Sequence, residues 1–145
     1  MMRLLVLRLI VAMLGATLLA GAAAAQSDKG NKADIVEAIL TRAVIERGAF
    51  LACARLDQNR QTAELLVRGW QIDLVDSASV LRAVGYTDAE IQAVRERYDI
   101  EKAAPKFSDL AALGAYCSVL GDWRARWAQL RIVLPQTELR RALKP

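Results

Sequence analysis

The sequence predicts an all-α domain, a small bundle of five to six helices with one disulfide, and three observations predict it. Apolar residues recur at three- and four-residue steps through most of the chain after residue 33, the period of helices with one face in a core. No stretch alternates apolar and polar residues over the length of a strand, and no Asn-Gly or Asp-Gly dipeptide marks a hairpin. Cys53 and Cys117 are the only cysteines, an even count that can close one bridge, with a single possible connectivity, in an oxidising compartment. In the chain-entropy model, tying together positions this far apart removes unfolded-state freedom worth about 4 kcal/mol.

The compartment is read from the first 25 residues. Arg3 and Arg8 precede an uncharged, small and apolar run from Leu9 to Ala25, and Ala23-Ala24-Ala25 offers a small-residue cleavage site before Gln26. That is the pattern of a secretory signal peptide that is removed. The run is short and alanine-rich for a membrane anchor, which takes about 17–25 predominantly apolar residues. The expectation is therefore a periplasmic or secreted protein, with residues 26–32 a flexible polar linker and 33–145 a single helical domain. Removing Arg3 and Arg8 lowers the net charge from +4 to +2, so the high isoelectric point is poor ground for nucleic-acid binding.

Each predicted helix has a local signal. Asn31 or Asp34 can cap a first helix whose core face is Ile35, Val36, Ile39, Leu40, Ala43 and Val44, with Gly48 ending or kinking it before the apolar segment that reaches Cys53. After the polar break Leu56-Asp57-Gln58-Asn59, Ala63, Leu66, Val67, Trp70 and Leu74 line a second helix, and Gly69 inside it reads as a close-packing position. Asp76-Ser77 can start a short third helix that Gly85 ends. Thr87 and Glu90 form a capping box for a fourth, presenting Ile91, Val94 and Tyr98 to the core and running toward Pro105. Ser108 can cap a fifth helix, with Leu110, Leu113, Cys117 and Leu120 on its buried stripe. Trp123, Trp127, Leu130 and Leu134 line a last helix stopped by Pro135, leaving residues 136–145 as a short basic turn or a disordered tail.

The order of a cysteine, an amphipathic helix, the run Gly85-Tyr86-Thr87-Asp88-Ala89-Glu90-Ile91 and a second cysteine in Tyr116-Cys117 resembles a family of small exported bacterial helical proteins of unknown function. The resemblance covers roughly Cys53 to Leu120 and implies export, helices and a bridge, with no activity attached.

The residue inventory excludes several chemistries. There is no histidine, which removes the usual general base and the commonest zinc, copper and haem ligand. Two cysteines so far apart form neither a Cys-x-x-Cys redox pair nor a four-thiolate metal site. No glycine-rich phosphate loop and no calcium-loop pattern occurs, so neither a cofactor nor a metal is expected. Carboxylates remain: Asp73 with Asp76, or Asp99 with Glu101, are the pairs available to a carboxylate-only hydrolase, although the first, three apart, straddles an expected helix end and the second, two apart, does not face one direction.

The feature with a binding flavour is Trp123-Arg124-Ala125-Arg126-Trp127 followed by Arg131, in a C-terminal segment whose basic residues face only Glu138 in acid. Tryptophan and arginine are enriched where proteins bind partners, so the expected partner is an acidic protein or an anionic membrane surface, on which such a helix can lie. The competing reading puts both tryptophans in the core and the arginines in water. The functional expectation is a non-enzymatic exported module that binds an envelope protein or a small ligand. The alternatives are a membrane-surface binder and the carboxylate hydrolase.

Overall fold

The structure is a computed structural model that describes residues 2–130 and 132–144, with side chains described from residue 28 onward. Among these the elements are α1 (Met2–Leu56), α2 (Arg60–Ala83), α3 (Asp88–Arg97), α4 (Ile100–Ala103), α5 (Leu110–Val119), α6 (Trp123–Leu130) and α7 (Pro135–Leu143), with no strand. Six helices of eight residues or more and one single-turn helix make up the all-α class expected from the pattern.

The chain divides into two units, Met1–Asp34 and Ile35–Pro145. In the first, the side chains of the segment read as an export signal lie outside the described residues. Residues 26–32, expected as linker, are helical, and Asn31 and Asp34 lie inside α1 instead of capping it. No proline interrupts the backbone there, and Asp28 pairs with Lys32 at 2.7 Å in the i,i+4 order that favours helix.

In the second unit α1 supplies the central face of the core. Val36, Leu40, Val44, Phe50, Leu51 and Ala54 are buried, and from Ala49 to Ala54 every residue is covered. The helix runs unbroken through Gly48. A Cβ at that position would stand 2.9 Å from the backbone of Ala103 and Ala104, so glycine is required by the close approach of the α4 end, not by a kink.

Opposite it, α2 buries Leu66, Trp70, Leu74, Ala78 and Leu81 and continues through Asp76-Ser77, where a new helix was expected. Neither proline nor glycine lies between Gly69 and Gly85, so nothing frees those backbone groups from the helical ladder. The helix ends where Gly85 takes φ +98° and the amides of Tyr86 and Gly85 donate to the carbonyls of Leu81 and Arg82. That pair of bonds is a Schellman cap.

The capping box at α3 forms as read: Thr87 Oγ1 accepts from the Glu90 amide and Glu90 Oε2 from the Thr87 amide. The chain does not stay helical to Pro105. Trp70 Nε1 donates to the Tyr98 carbonyl at 2.6 Å, and Asp99 then caps the single turn of α4, whose last carbonyls meet Pro105 through an extended Ala104. At α5 the cap is Asp109, which accepts from the Ala112 amide, while the expected cap Ser108 donates to Asp109 itself. Leu110, expected on the buried stripe, is 73% exposed.

The Cys53–Cys117 disulfide is formed, with the two Cα atoms 5.6 Å apart, joining α1 to α5. The largest departure lies at the end of the chain. The helix expected to run through Leu134 to Pro135 ends at Leu130, and Pro135 opens α7 instead of stopping α6, because its missing N–H and preset φ suit a first helical position. Pro135, Leu139 and Leu143 are buried, and α7 packs on α2, so residues 136–145 include a core element and not a loose basic turn.

Candidate functional site

The residues singled out on α6 are held mainly by the fold itself. Trp123 is buried, its ring centroid 6.0 Å from that of Phe50, and Trp127 is half-buried against the core. Arg124 stands over the Trp123 ring and pairs with Asp57. Arg126 stands over Phe50 and pairs with Glu46 at 2.6 Å. Arg131 lies outside the described residues. The tryptophans are thus core or core-flanking, and both described arginines serve the attachment of α6 to the rest of the unit. Arg42 with Glu138, Arg97 with Glu37 and Arg55 with Glu101 tie other elements to one another in the same way.

The acids considered for hydrolysis separate by role. Asp99 accepts from the Glu101 amide as a helix cap, and Glu101 receives both strong contacts of Arg55. Asp73 is buried, while Asp76 is exposed one turn further along α2.

Asp73 belongs to an arrangement the sequence reading missed. Arg47, on the core side of α1, is only 6% exposed and donates to Asp73 Oδ2 at 3.0 Å and to the Ala43 carbonyl at 3.2 Å. Its guanidinium carbon lies 5.1 Å from the centre of the Trp70 ring. Burial pushes the Asp73 carboxyl above the usual carboxylate range, although Arg47 and Gln136 draw it back. Burial likewise lowers Arg47 from its ordinary value. Desolvation opposes charge on both partners, and their mutual attraction offsets part of that cost. Gln136 at the start of α7 donates to Asp76 Oδ2 at 3.5 Å. This fixes the amide orientation, since the reverse would point a carbonyl at a carboxylate. Gln136 Oε1 and Ser77 Oγ are buried with no partner within the chain. Unpartnered buried polar atoms are uncommon in a well-ordered core and call for an explanation.

Arg47, Asp73 and Gln136 form the inner lining of a cleft of about 270 Å³ between α2, α6 and the start of α7. Arg47, Trp70, Asp73 and Gln136 are its buried side, and Leu65, Gly69, Ile72 and Asp76 on α2 its exposed side, with Trp127 and Leu130 from α6 facing them. Apolar walls around a few fixed polar groups are what small-molecule sites have in common. A larger recess, about 980 Å³, runs along Arg55, Arg60, Glu64, Arg68 and Glu101. Every one of those charges is exposed, so water and salt weaken its discrimination between ligands. Among the described residues no group of three or more His, Cys, Asp and Glu side chains is placed to hold a metal.

A signal for the buried pair was present in the sequence. Arg47 falls on the stripe of Leu40, Val44 and Leu51, and Asp73 on that of Leu66, Trp70 and Leu81, so two apolar stripes each carry one charge of opposite sign. No family model, no curated protein and no solved structure matches the chain.

Proposed function

We propose that this chain is an exported, non-enzymatic helical module that binds a small ligand in the cleft between α2, α6 and α7. The observation that carries the reading is the pairing of that cleft with the buried Arg47–Asp73–Gln136 cluster, which presents fixed polar groups between apolar walls. Export is supported by the leading segment, by the Cys53–Cys117 bridge and by the resemblance to small exported proteins. Among the described residues no helix is long and apolar enough to cross a membrane. Placement in the periplasm or outside the cell agrees with these features.

The membrane-surface alternative loses support because Arg124 and Arg126 are engaged with Asp57 and Glu46. The hydrolase alternative loses support because Asp73 is committed to Arg47, and Asp99 and Glu101 to a cap and an ion pair.

Cell fractionation with N-terminal sequencing tests export: the protein should be found in the envelope or medium with its first residue near Gln26. Recovery from the cytosol with Met1 intact and two free thiols would overturn it. Native mass spectrometry of protein purified from its source tests binding, with a small mass expected to co-purify and to be lost on unfolding. Turnover of a glycan or ester that disappears in Asp73→Asn or Asp76→Asn would replace the binding reading with catalysis.

A further inference from the structure

The lining of the cleft also specifies a ligand chemistry, on the assumption that the small-ligand reading above holds. Gly69 is the first observation. A Cβ there would meet nothing within 4 Å, so no neighbouring helix demands glycine, contrary to its expected role in close packing. Glycine inside a helix costs about 1 kcal/mol relative to alanine, and here packing does not repay it. What the missing side chain does is keep the cleft open.

Charge is the second. Among the described residues Arg47 is the only cation of the lining, and its guanidinium is engaged with Asp73, the Ala43 carbonyl and the Trp70 ring. An anionic ligand would have to compete with Asp73 for Arg47 and would sit beside the Asp73 and Asp76 carboxylates, which repel it. Asp76, by contrast, is exposed at the cleft, and among the described residues no cation pairs with it; its neighbour is the Gln136 amide at the outer limit of hydrogen bonding. The third observation is apolar surface. Leu65 and Ile72, seven residues apart on one side of α2, are 48% and 55% exposed, and the half-buried Trp127 and Leu130 face the same space.

We infer that the cleft takes a small organic cation: an ammonium group on a short apolar chain, the ammonium held by the Asp76 carboxylate and the Trp127 ring, the chain against Leu65, Ile72 and Leu130. An ammonium over tryptophan is a favourable contact, and it strengthens as water is excluded. The volume, about 270 Å³, limits the ligand to a handful of carbon atoms.

The oxidised exported protein, beginning near Gln26, is titrated at about pH 7, where an aliphatic amine is charged, with hexylammonium, hexanol and hexanoate. Calorimetry and tryptophan fluorescence follow binding to the wild type, Asp76→Asn and Gly69→Leu. Hexylammonium should bind about five- to tenfold more tightly than hexanol, and Asp76→Asn should abolish that preference while leaving hexanol binding in place. Gly69→Leu removes a helix-interior glycine, so its melting temperature should hold or rise while affinity for every probe falls about tenfold or more. If hexanol or hexanoate binds as tightly as hexylammonium and Gly69→Leu still blocks it, the cation is wrong and the small-ligand site stands. If no probe gives a saturable signal, or Gly69→Leu leaves the signal unchanged, both are overturned.

Discussion

Replacing Asp73 by alanine while Arg47 stays in place should destabilise the fold by about 3–5 kcal/mol, because it leaves a desolvated guanidinium with one carbonyl for a partner. Arg47 is 6% exposed and Asp73 7%, so neither charge can recover hydration by a small side-chain movement. For a unit of this size each kcal/mol moves the melting temperature by roughly 3–6 °C, which puts the single substitution about 9–30 °C below wild type. The matched apolar replacement, Arg47→Met with Asp73→Leu, removes both charges together and should fall within about 1 kcal/mol of wild type or exceed it by up to about 4 kcal/mol. Urea unfolding of the oxidised wild type, both single variants and the double variant measures the coupling between the two positions. A single variant within about 1 kcal/mol of wild type, or a double variant as damaged as the sum of the singles, would refute the account of the pair. The pH dependence carries a sign. Burial raises the folded Asp73 carboxyl above its unfolded value of about 3.9, so within that window the folded chain holds a proton that the unfolded chain has lost. The stability Asp73 contributes is therefore fully present below the unfolded value and is lost as pH rises through the folded one. The stability of wild type minus that of Asp73→Asn should decrease across this window and level off above it. An increase with pH would mean that attraction to Arg47 outweighs desolvation.

Three further predictions concern the frame around the cleft. Denatured, non-reduced protein should show no titratable thiol, Cys53→Ala and Cys117→Ala should each cost about 2–5 kcal/mol, and the double variant should be no worse than either; clearly additive losses would argue that the two sulfurs act separately. Gly48→Ala drives a methyl group against the Ala103–Ala104 backbone and should destabilise by about 1–3 kcal/mol, whereas Gly69→Ala meets open space and should stabilise by about 0.5–1 kcal/mol; thermal unfolding that fails to give opposite signs would undo both assignments. Leu139→Ala should cost about 2–5 kcal/mol because Leu139 is fully buried on the core face of α7, and a value near zero by chemical denaturation would return the C-terminal segment to a dispensable tail.

By itself the sequence determined whatever depends on neighbours along the chain. Helical period sets the class, the Thr87–Glu90 reciprocal cap starts α3, Gly85 ends α2, and two cysteines leave one bridge to form. These are short-range rules of steric fit and hydrogen bonding, and they act on the same few residues whatever the rest of the chain does. Tertiary packing decided the remainder. Gly48 and Gly69 look alike in sequence, yet one is forced by the backbone of α4 and the other faces an open cleft. Pro135 could stop one helix or start the next, and the burial of Leu139 and Leu143 against α2 makes it a start. Arg124 and Arg126 could have faced a partner, but Asp57 and Glu46, far away in sequence, take them up. Arg47 and Asp73 become a site only where α1 and α2 meet. A charge on an apolar stripe reveals its cost locally, and its compensation comes from a residue that the chain brings near only by folding.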